Sequence, residues 1–397
     1  MTRKFHVASD EEIKSGKTTD VYFDRTEKIL KAEGVSDREV VAEVTSGSLP
    51  NEWNWAVLSG IDEVATLFEG VPVNVWTLPE GSIFRPRDVT GVRVPLLVIE
   101  GPYQKFCALE TPMLGLICQS SGVSTKSARV RKVAGEKNIL AFGIRRMHPS
   151  LAPMLDRAAY VGGFDGVSSL AGAEEIGKKP MGTMPHGLII ALGDQVRAWR
   201  AFDQDIPDEV PRIALVDTYS DEKEEAIRAA ETLQESLDGI RLDTPGSRRG
   251  NFADLVREVR WELDARGFED VDIVVSGGLD EDSIPTLLEA GAESFGVGTS
   301  ITNAPVLDLA LDIVEVEGKP AAKRGKFSGR KMVWQCGNCL ESTVTLAEDK
   351  KPECPECGGE TEALFEPLVR NGEVVKDLPS SDEVRKRVLK QLERFEL

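Results

Sequence analysis

Hydrophobic positions along the chain change their spacing twice, and each change marks a change of architecture. Over roughly the first 115 residues, short apolar runs such as "VYFDRT", "WAVLSGIDEVATLF", "VNVWTLPEGSIF" and "VRVPLLVIEGPY" are separated by Gly and Pro turn signals. This spacing predicts an α+β domain around a small sheet. From "FCALETPMLGLICQSSGVSTKSARVRKVAG" onward a long helix gives way to a regular alternation. Strands are predicted at 138–143, 160–168, 212–218, 239–244, 271–278 and 294–300, with amphipathic stretches such as "DEKEEAIRAAETLQESL" and "NFADLVREVRWELDARG" between them. Strict strand–helix alternation implies βαβ units on a parallel sheet, either closed as a barrel or open and doubly wound. The regularity stops near residue 320, where a cysteine-rich tail leads into a last amphipathic stretch, "SDEVRKRVLKQLERF".

At 397 residues the chain has room for two or three domains with substantial cores. Its 67 acidic residues against 48 basic ones give a net charge of -19, which disfavours non-specific attraction to nucleic acid or an anionic membrane. An anionic ligand therefore needs a local basic cluster. No stretch approaches the ~20 apolar residues of a membrane helix and the first residues have no signal-peptide core, so the expected location is cytoplasmic.

Local clusters of that kind recur at the ends of the predicted strands. Two glycine-bearing ends follow one another, Ser276-Gly277-Gly278 and then Gly296 with Gly298-Thr299. Each is followed by a helical pattern. Either alone would be a tight turn, but two of them one βα unit apart suit the cradle in which barrel loops present backbone N–H groups to a phosphate. Other strand ends carry Arg145, Arg146 and His148; Asp165, Ser168 and Ser169; Asp217 and Thr218; and Arg241 with Asp243. Any one of these could be a helix cap or a surface ion pair. Converging on one rim, they describe a site for a polyanion with a divalent metal. His186, one of three histidines, lies in the turn "GTMPHG" where a strand should meet a helix, and is assigned to the same rim instead of to a helix cap.

Cys336, Cys339, Cys354 and Cys357 form two CxxC pairs, the spacing of knuckles whose four thiolates hold zinc tetrahedrally. Four cysteines leave no open coordination position, which predicts a structural zinc. Cys107 and Cys118 fall in apolar surroundings and are read as core residues. Zinc ribbons often bind nucleic acid, but the linker between these knuckles and the acidity of the chain argue against it.

The succession "TDVYFDRT", "FGIRRMHP", "YVGGFDGVSSLAG", "GTMPHGLI", "LVDTY", "RLDTPGSRRGN", "VSGGLDE", "FGVGTSIT" resembles nicotinate phosphoribosyltransferase, especially its archaeal branch with a cysteine-rich tail. The resemblance implies an α/β sandwich domain at 1–115 completed by chain after 310, an incomplete β/α barrel at 116–310 carrying the active site, and a zinc-ribbon-like domain at 332–397. It also implies a homodimer that joins nicotinate to phosphoribosyl pyrophosphate in NAD biosynthesis, with magnesium and with ATP coupling. By the same resemblance, His186 accepts a phosphate and Asp217 and Asp243 face the ribose hydroxyls and magnesium. Arg145 and Arg241 attract the nicotinate carboxylate and phosphates, with Thr218 beside them, and the glycine turns hold the 5′-phosphate. Phe142 and Tyr22, the latter from a partner subunit, sandwich the pyridine ring, and Ser168 or Ser169 donates to the carboxylate. Many members of the family have Leu-Asp-Ser-Gly-Asp where this chain has "LDTPGSRRGN", so Arg248 and Arg249 are read as phosphate or partner-subunit contacts. Quinolinate and nicotinamide phosphoribosyltransferases remain alternatives, as does, from another class, a zinc-ribbon nucleic-acid binder on an inactive barrel.

Overall fold

The computed structural model describes residues 4–375 and 377–397. The chain divides into two compact units, Met1–Thr125 with Pro305–Leu397, and Lys126–Ala304. The division after Thr125 falls inside one helix, Glu110–Ala134, and not near residue 115.

The first unit is built on a seven-stranded antiparallel sheet in the order Lys319–Pro320, Leu309–Val316, Glu39–Ser46, Leu97–Pro102, Asn74–Thr77, Glu366–Arg370, Glu373–Val374. Glu39–Ser46, "EVVAEVTS", takes a central place because it is buried at every position after the first and rich in β-branched residues. One face carries the helix Ile61–Phe68, whose Ile61, Val64, Leu67 and Phe68 join Val75, Leu97, Ile99 and Met113 in one core. The segment 332–397, expected to be a domain of its own, is grouped in this unit. A three-stranded ribbon, Ser342–Leu346, Lys331–Cys336 and Thr361–Ala363, sends Val333 and Val344 into the same core. The following strands complete the large sheet. The last helix, Ser381–Leu392, is tied to the strand Ile83–Phe84 by Gln391 Oε1, which accepts from the Ile83 N–H at 2.9 Å. Trp55 Nε1 donates to the Glu396 carbonyl at 2.7 Å, fixing the tail beyond it.

The second unit contains six strands, all parallel: Asn138–Ala141, Gly166–Val167, Ile213–Leu215, Gly239–Leu242, Asp272–Ser276 and Ser294–Val297, called the first to sixth barrel strands. The sixth pairs with the first, and every other neighbour follows in chain order except that the second and third do not pair. This is a β/α barrel open at one seam. Met181 lies at that seam, its N–H donating to the Val167 carbonyl at 2.8 Å. Of the strand expected at 160–168 only Gly166–Val167 is extended: residues 160 and 161 end the helix Ala152–Val161, which buries Leu155, Ala158, Ala159 and Val161 at helical spacing, and the chain then turns. The apolar run straddles the end of one element and the start of the next, which periodicity alone does not separate.

Glu110, first residue of the long helix, has its carboxyl pushed up to about 7 by burial and by the nearby Asp312, with Lys323 opposing. Between the ordinary glutamate range and pH 7 the folded chain holds a proton that the unfolded chain has released, so stability falls as pH rises through that window. Glu110→Gln is expected to raise the melting temperature by about 2–4 °C at pH 8 and to change it little at pH 4, measured by thermal unfolding at the two pH values.

Candidate functional site

The C-terminal ends of the barrel strands bring the chemistry together, as packing requires: buried Ile139, Ala141, Leu215, Ile240, Leu242, Ile273, Val275 and Phe295 fill the strands, leaving polar groups for the edge. Arg241 is the exception. It lies within the fourth strand on the face opposite Ile240 and Leu242, and its guanidinium is held on all three nitrogens. Nε donates to Ser276 Oγ at 2.9 Å, Nη1 to Thr183 Oγ1 at 2.8 Å, and Nη2 lies 3.1 Å from Asp243 Oδ2. Ser276 Oγ in turn donates to Asp243 Oδ1 at 2.6 Å, and the guanidinium sits 5.3 Å from the centre of the Phe142 ring. Phe142, Ile144, Arg145, Ser168, Met181, Gly182, Thr183 and Arg241 line a cleft of about 300 Å³. Its chemistry is one aromatic face, two guanidinium groups and two hydroxyls.

Beside it, His186 opens the helix His186–Leu192 and bonds through Nε2 to Asp217 Oδ1 at 2.8 Å. The Asp217 side chain is 2% exposed, and its second oxygen accepts from the Asp243 N–H at 2.9 Å and lies 3.2 Å from Thr244 Oγ1. Burial raises the Asp217 pKa and the His186 ring opposes that rise. Thr244 donates to Glu222 at 2.7 Å. Buried Glu225 accepts the N–H groups of Thr218, Tyr219 and Ser220, which fixes the loop after the third strand. Thr183, Glu222, Glu225 and Thr244 escape a reading of strand ends. For Glu225 the available signal is an acid on the apolar side of an amphipathic helix.

The two glycine turns play different parts. Gly277 and Gly278 have φ of 95° and 76°, a left-handed pair that only glycine adopts without strain. Gly296 lies inside the sixth strand, and a Cβ there would come within 2.4 Å of the Phe142 ring, so its lack of a side chain makes room for the aromatic wall and not for an anion. Gly298 and the exposed Thr299 follow, at the edge.

Other expected residues lie elsewhere. Ser169 is a helix cap: its hydroxyl accepts from the Gly172 N–H at 2.9 Å and donates to buried Asp156, so of the two serines Ser168 alone lines the cleft. Asp165 precedes its strand and therefore sits at the opposite, N-terminal edge, where it pairs with Arg131 and accepts from the Ile139 N–H. His148 Nδ1 caps its own short turn through the Ser150 N–H, at 3.2 Å. Thr218 faces inward with a buried hydroxyl. Arg249 is a strut: Nη1 donates to the carbonyls of Gly277 at 2.8 Å and Thr244 at 3.2 Å, and its guanidinium stacks 3.9 Å from the Phe252 ring centre. Tyr22 belongs to the other unit, on the helix Val21–Ala32, 55% exposed and packed on Phe23.

In the ribbon, Cys336, Cys339, Cys354 and Cys357 place their sulfurs within 4.8 Å of one another and form no disulfides. Pairs lie 3.4 Å (Cys336–Cys357) and 3.6 Å (Cys339–Cys354) apart. Sulfurs about 2.3 Å from a tetrahedral zinc would lie ~3.8 Å apart, so the set fits that ion with small adjustment. Among the described residues no other group of three His, Cys, Asp or Glu ligands converges in this way, and no helix is long and apolar enough to cross a membrane.

Residues 20–121 match the N-terminal domain, and 123–312 the C-terminal domain, of the quinolinate phosphoribosyl transferase family. An open parallel barrel with arginines, carboxylates and a glycine loop on one edge thus defines a phosphoribosyltransferase of this architecture. Nicotinate phosphoribosyltransferase pncB2 of Mycobacterium tuberculosis is 30% identical over 335 residues, 81% of this chain and 68% of the relative. The crystal structure of nicotinate-nucleotide pyrophosphorylase from Pyrococcus furiosus is 52% identical over the whole of both chains, with a TM-score of 0.95. The chain belongs to the nicotinate phosphoribosyltransferase family. The human nicotinic acid phosphoribosyltransferase structure, at 23% identity, shares the fold over 95% of this chain and 94% of its own, with a TM-score of 0.78.

A closed four-thiolate metal holds structure and has no vacant position for substrate. Metal analysis of protein purified without chelator is expected to find one zinc per chain. Cys339→Ser should lose that zinc and several degrees of melting temperature while the residual folded protein keeps its turnover. A metal-free preparation of undiminished stability would contradict this.

Proposed function

We propose that the cleft joins nicotinate to phosphoribosyl pyrophosphate, giving nicotinate mononucleotide and pyrophosphate in NAD biosynthesis. The observation that carries this reading is Arg241, held against the Phe142 ring beside Arg145 and Ser168. A flat aromatic acid can stack on Phe142 and meet a guanidinium with its carboxylate. The pyridine nitrogen attacks the anomeric carbon as the bond from that carbon to the pyrophosphate oxygen breaks, and the positive charge developing on the ribose is favoured by Asp217 and Asp243. The Gly277–Gly278 loop and the edge at Gly298–Thr299 take the 5′-phosphate. Magnesium would neutralise the leaving pyrophosphate when bound, and Asp243, with 20% side-chain exposure against 2% for Asp217, would be the carboxylate open to it. Tyr22 of a second copy would close the ring pocket in a homodimer.

ATP coupling is part of the proposal. With Nε2 of His186 bonded to the buried carboxylate of Asp217, Nδ1 is the nitrogen left to attack the γ-phosphorus of ATP; the N–P bond forms as the bond to the β,γ-bridging oxygen breaks, ADP leaves, and Asp217 steadies the charge that the ring acquires.

Incubation with phosphoribosyl pyrophosphate, magnesium and, in parallel, nicotinate, nicotinamide and quinolinate identifies the acceptor by the mononucleotide formed. Nicotinate should exceed nicotinamide by about tenfold or more, because a charge-assisted bond to arginine is stronger than a neutral one by ~1–2 kcal/mol. Equal turnover would refute the assignment of Arg241. Acid-labile label from γ-labelled ATP should appear in the wild type and vanish in His186→Ala. No label in the wild type would remove the coupling step and leave the transfer intact.

A further inference from the structure

Three residues past the Gly277–Gly278 turn, Glu281 is gripped by two cations that the reaction as described does not use. Lys126 Nζ is paired with Glu281 Oε2, and Arg129 Nε lies 3.5 Å from Oε1. Side-chain exposures are 16% for Lys126, 14% for Arg129 and 12% for Glu281, so the three charges are largely withdrawn from water. Lys126 and Arg129 stand three residues apart on the long helix Glu110–Ala134, the spacing that puts both on one face. Between the glycines and Glu281, Leu279 is 1% exposed, and Asp280 and Ser283 exchange bonds of 3.0 Å between side chains and backbone N–H groups. On the other side of the turn, Arg249 holds the Gly277 carbonyl.

We propose that Glu281, clamped by Lys126 and Arg129, is a positioning residue that holds the Gly277–Gly278 loop in the form that receives the sugar phosphate. The proposal rests on the reading of that loop as the phosphate site. Two consecutive left-handed glycines have more conformational freedom to lose than any other pair. Unless the fold removes that freedom beforehand, it is subtracted from the free energy of binding. A buried ion pair is a weak source of stability, since a neutral isostere in its place is often tolerated. Its geometric effect is the stronger one: a carboxylate held at two points fixes where the turn begins its helix, while Arg249 fixes the carbonyl at the other end. A purely electrostatic role predicts the opposite sign, because removing the acid would release two cations toward an arriving phosphate.

The test is Glu281→Gln, with Glu281→Asp as the charge-retaining control. Titration calorimetry with ribose 5-phosphate reads the subsite without the chemistry, and steady-state kinetics give KM and kcat separately. Expected for Glu281→Gln is about tenfold weaker ribose 5-phosphate binding and a matching rise in KM for phosphoribosyl pyrophosphate. KM for nicotinate and kcat at saturating co-substrate should stay within about twofold. Hydrogen exchange should accelerate at 277–283, and Glu281→Asp should recover part of the affinity. Unchanged or tighter ribose 5-phosphate binding by a folded Glu281→Gln protein, or unchanged exchange at 277–283, would overturn the proposal. If the wild type binds ribose 5-phosphate but converts no nicotinate, the functional reading fails and the clamp is judged on the binding data. If it binds no phosphate ester, both fail.

Discussion

The rim of the barrel depends on one charged group placed inside a strand. A guanidinium 14% exposed within a strand would be costly to desolvate without partners, and Arg241 finds them on three neighbouring pieces of chain: Asp243 on its own strand end, Ser276 on the fifth strand and Thr183 at the open seam. Satisfying this one cation fixes the spacing of the fourth and fifth strand ends and draws in the loop that carries His186. It also places a positive charge against Phe142, whose ring fits only because Gly296 has no side chain. Aromatic wall and charge are thereby a single construction.

The open seam between the second and third barrel strands provides for the rest. A closed barrel would pair Gly166–Val167 with Ile213–Leu215, and the intervening chain would be an ordinary outer helix. Here Met181 bonds to the edge of the second strand and Thr183 to Arg241, so that His186 reaches Asp217. The carboxylate between them is almost wholly buried, held by His186 on one oxygen and by the Asp243 N–H on the other, an arrangement that fixes its oxygens before any ligand arrives. On the far side of the rim, Arg249 ties the loop after the fourth strand to the loop after the fifth. That strut gives a physical use to the arginine-rich stretch 245–250: one arginine crosses between loops, with its flat face on Phe252.

The family resemblance and the strand–helix alternation were legible in the chain because they rest on local signals: apolar runs of strand length, glycines at their ends, helices of 3.6-residue period and the CxxC spacing. Such signals put Arg241, Asp217, Asp243, His186 and Ser168 on the rim from the chain alone, Phe142 came from the resemblance, and the four sulfurs do meet. Local reading fails where a residue's partner is remote. Asp165 and His148 have the composition of site residues, yet Arg131 with the Ile139 N–H takes up the first and a neighbouring turn takes up the second. The run at 160–168 shows the same weakness, since its apolar residues belong to two elements, a helix end and a two-residue strand, that no local period separates.

By itself, then, the sequence determined which residues could end a strand, turn a loop or bind a metal, since those properties belong to φ preference, side-chain chemistry and spacing. Tertiary structure decided which of them face one another. The seam in the barrel, the choice of Ser168 over Ser169, the conversion of Gly296 from anion cradle to ring contact and of Arg249 from ligand contact to strut, and the joining of strands at 309–320 and 366–374 to a sheet begun at residue 39 all depend on pairings across the chain. Hydrogen bonds and burial are satisfied in space, and no window along the sequence contains both partners.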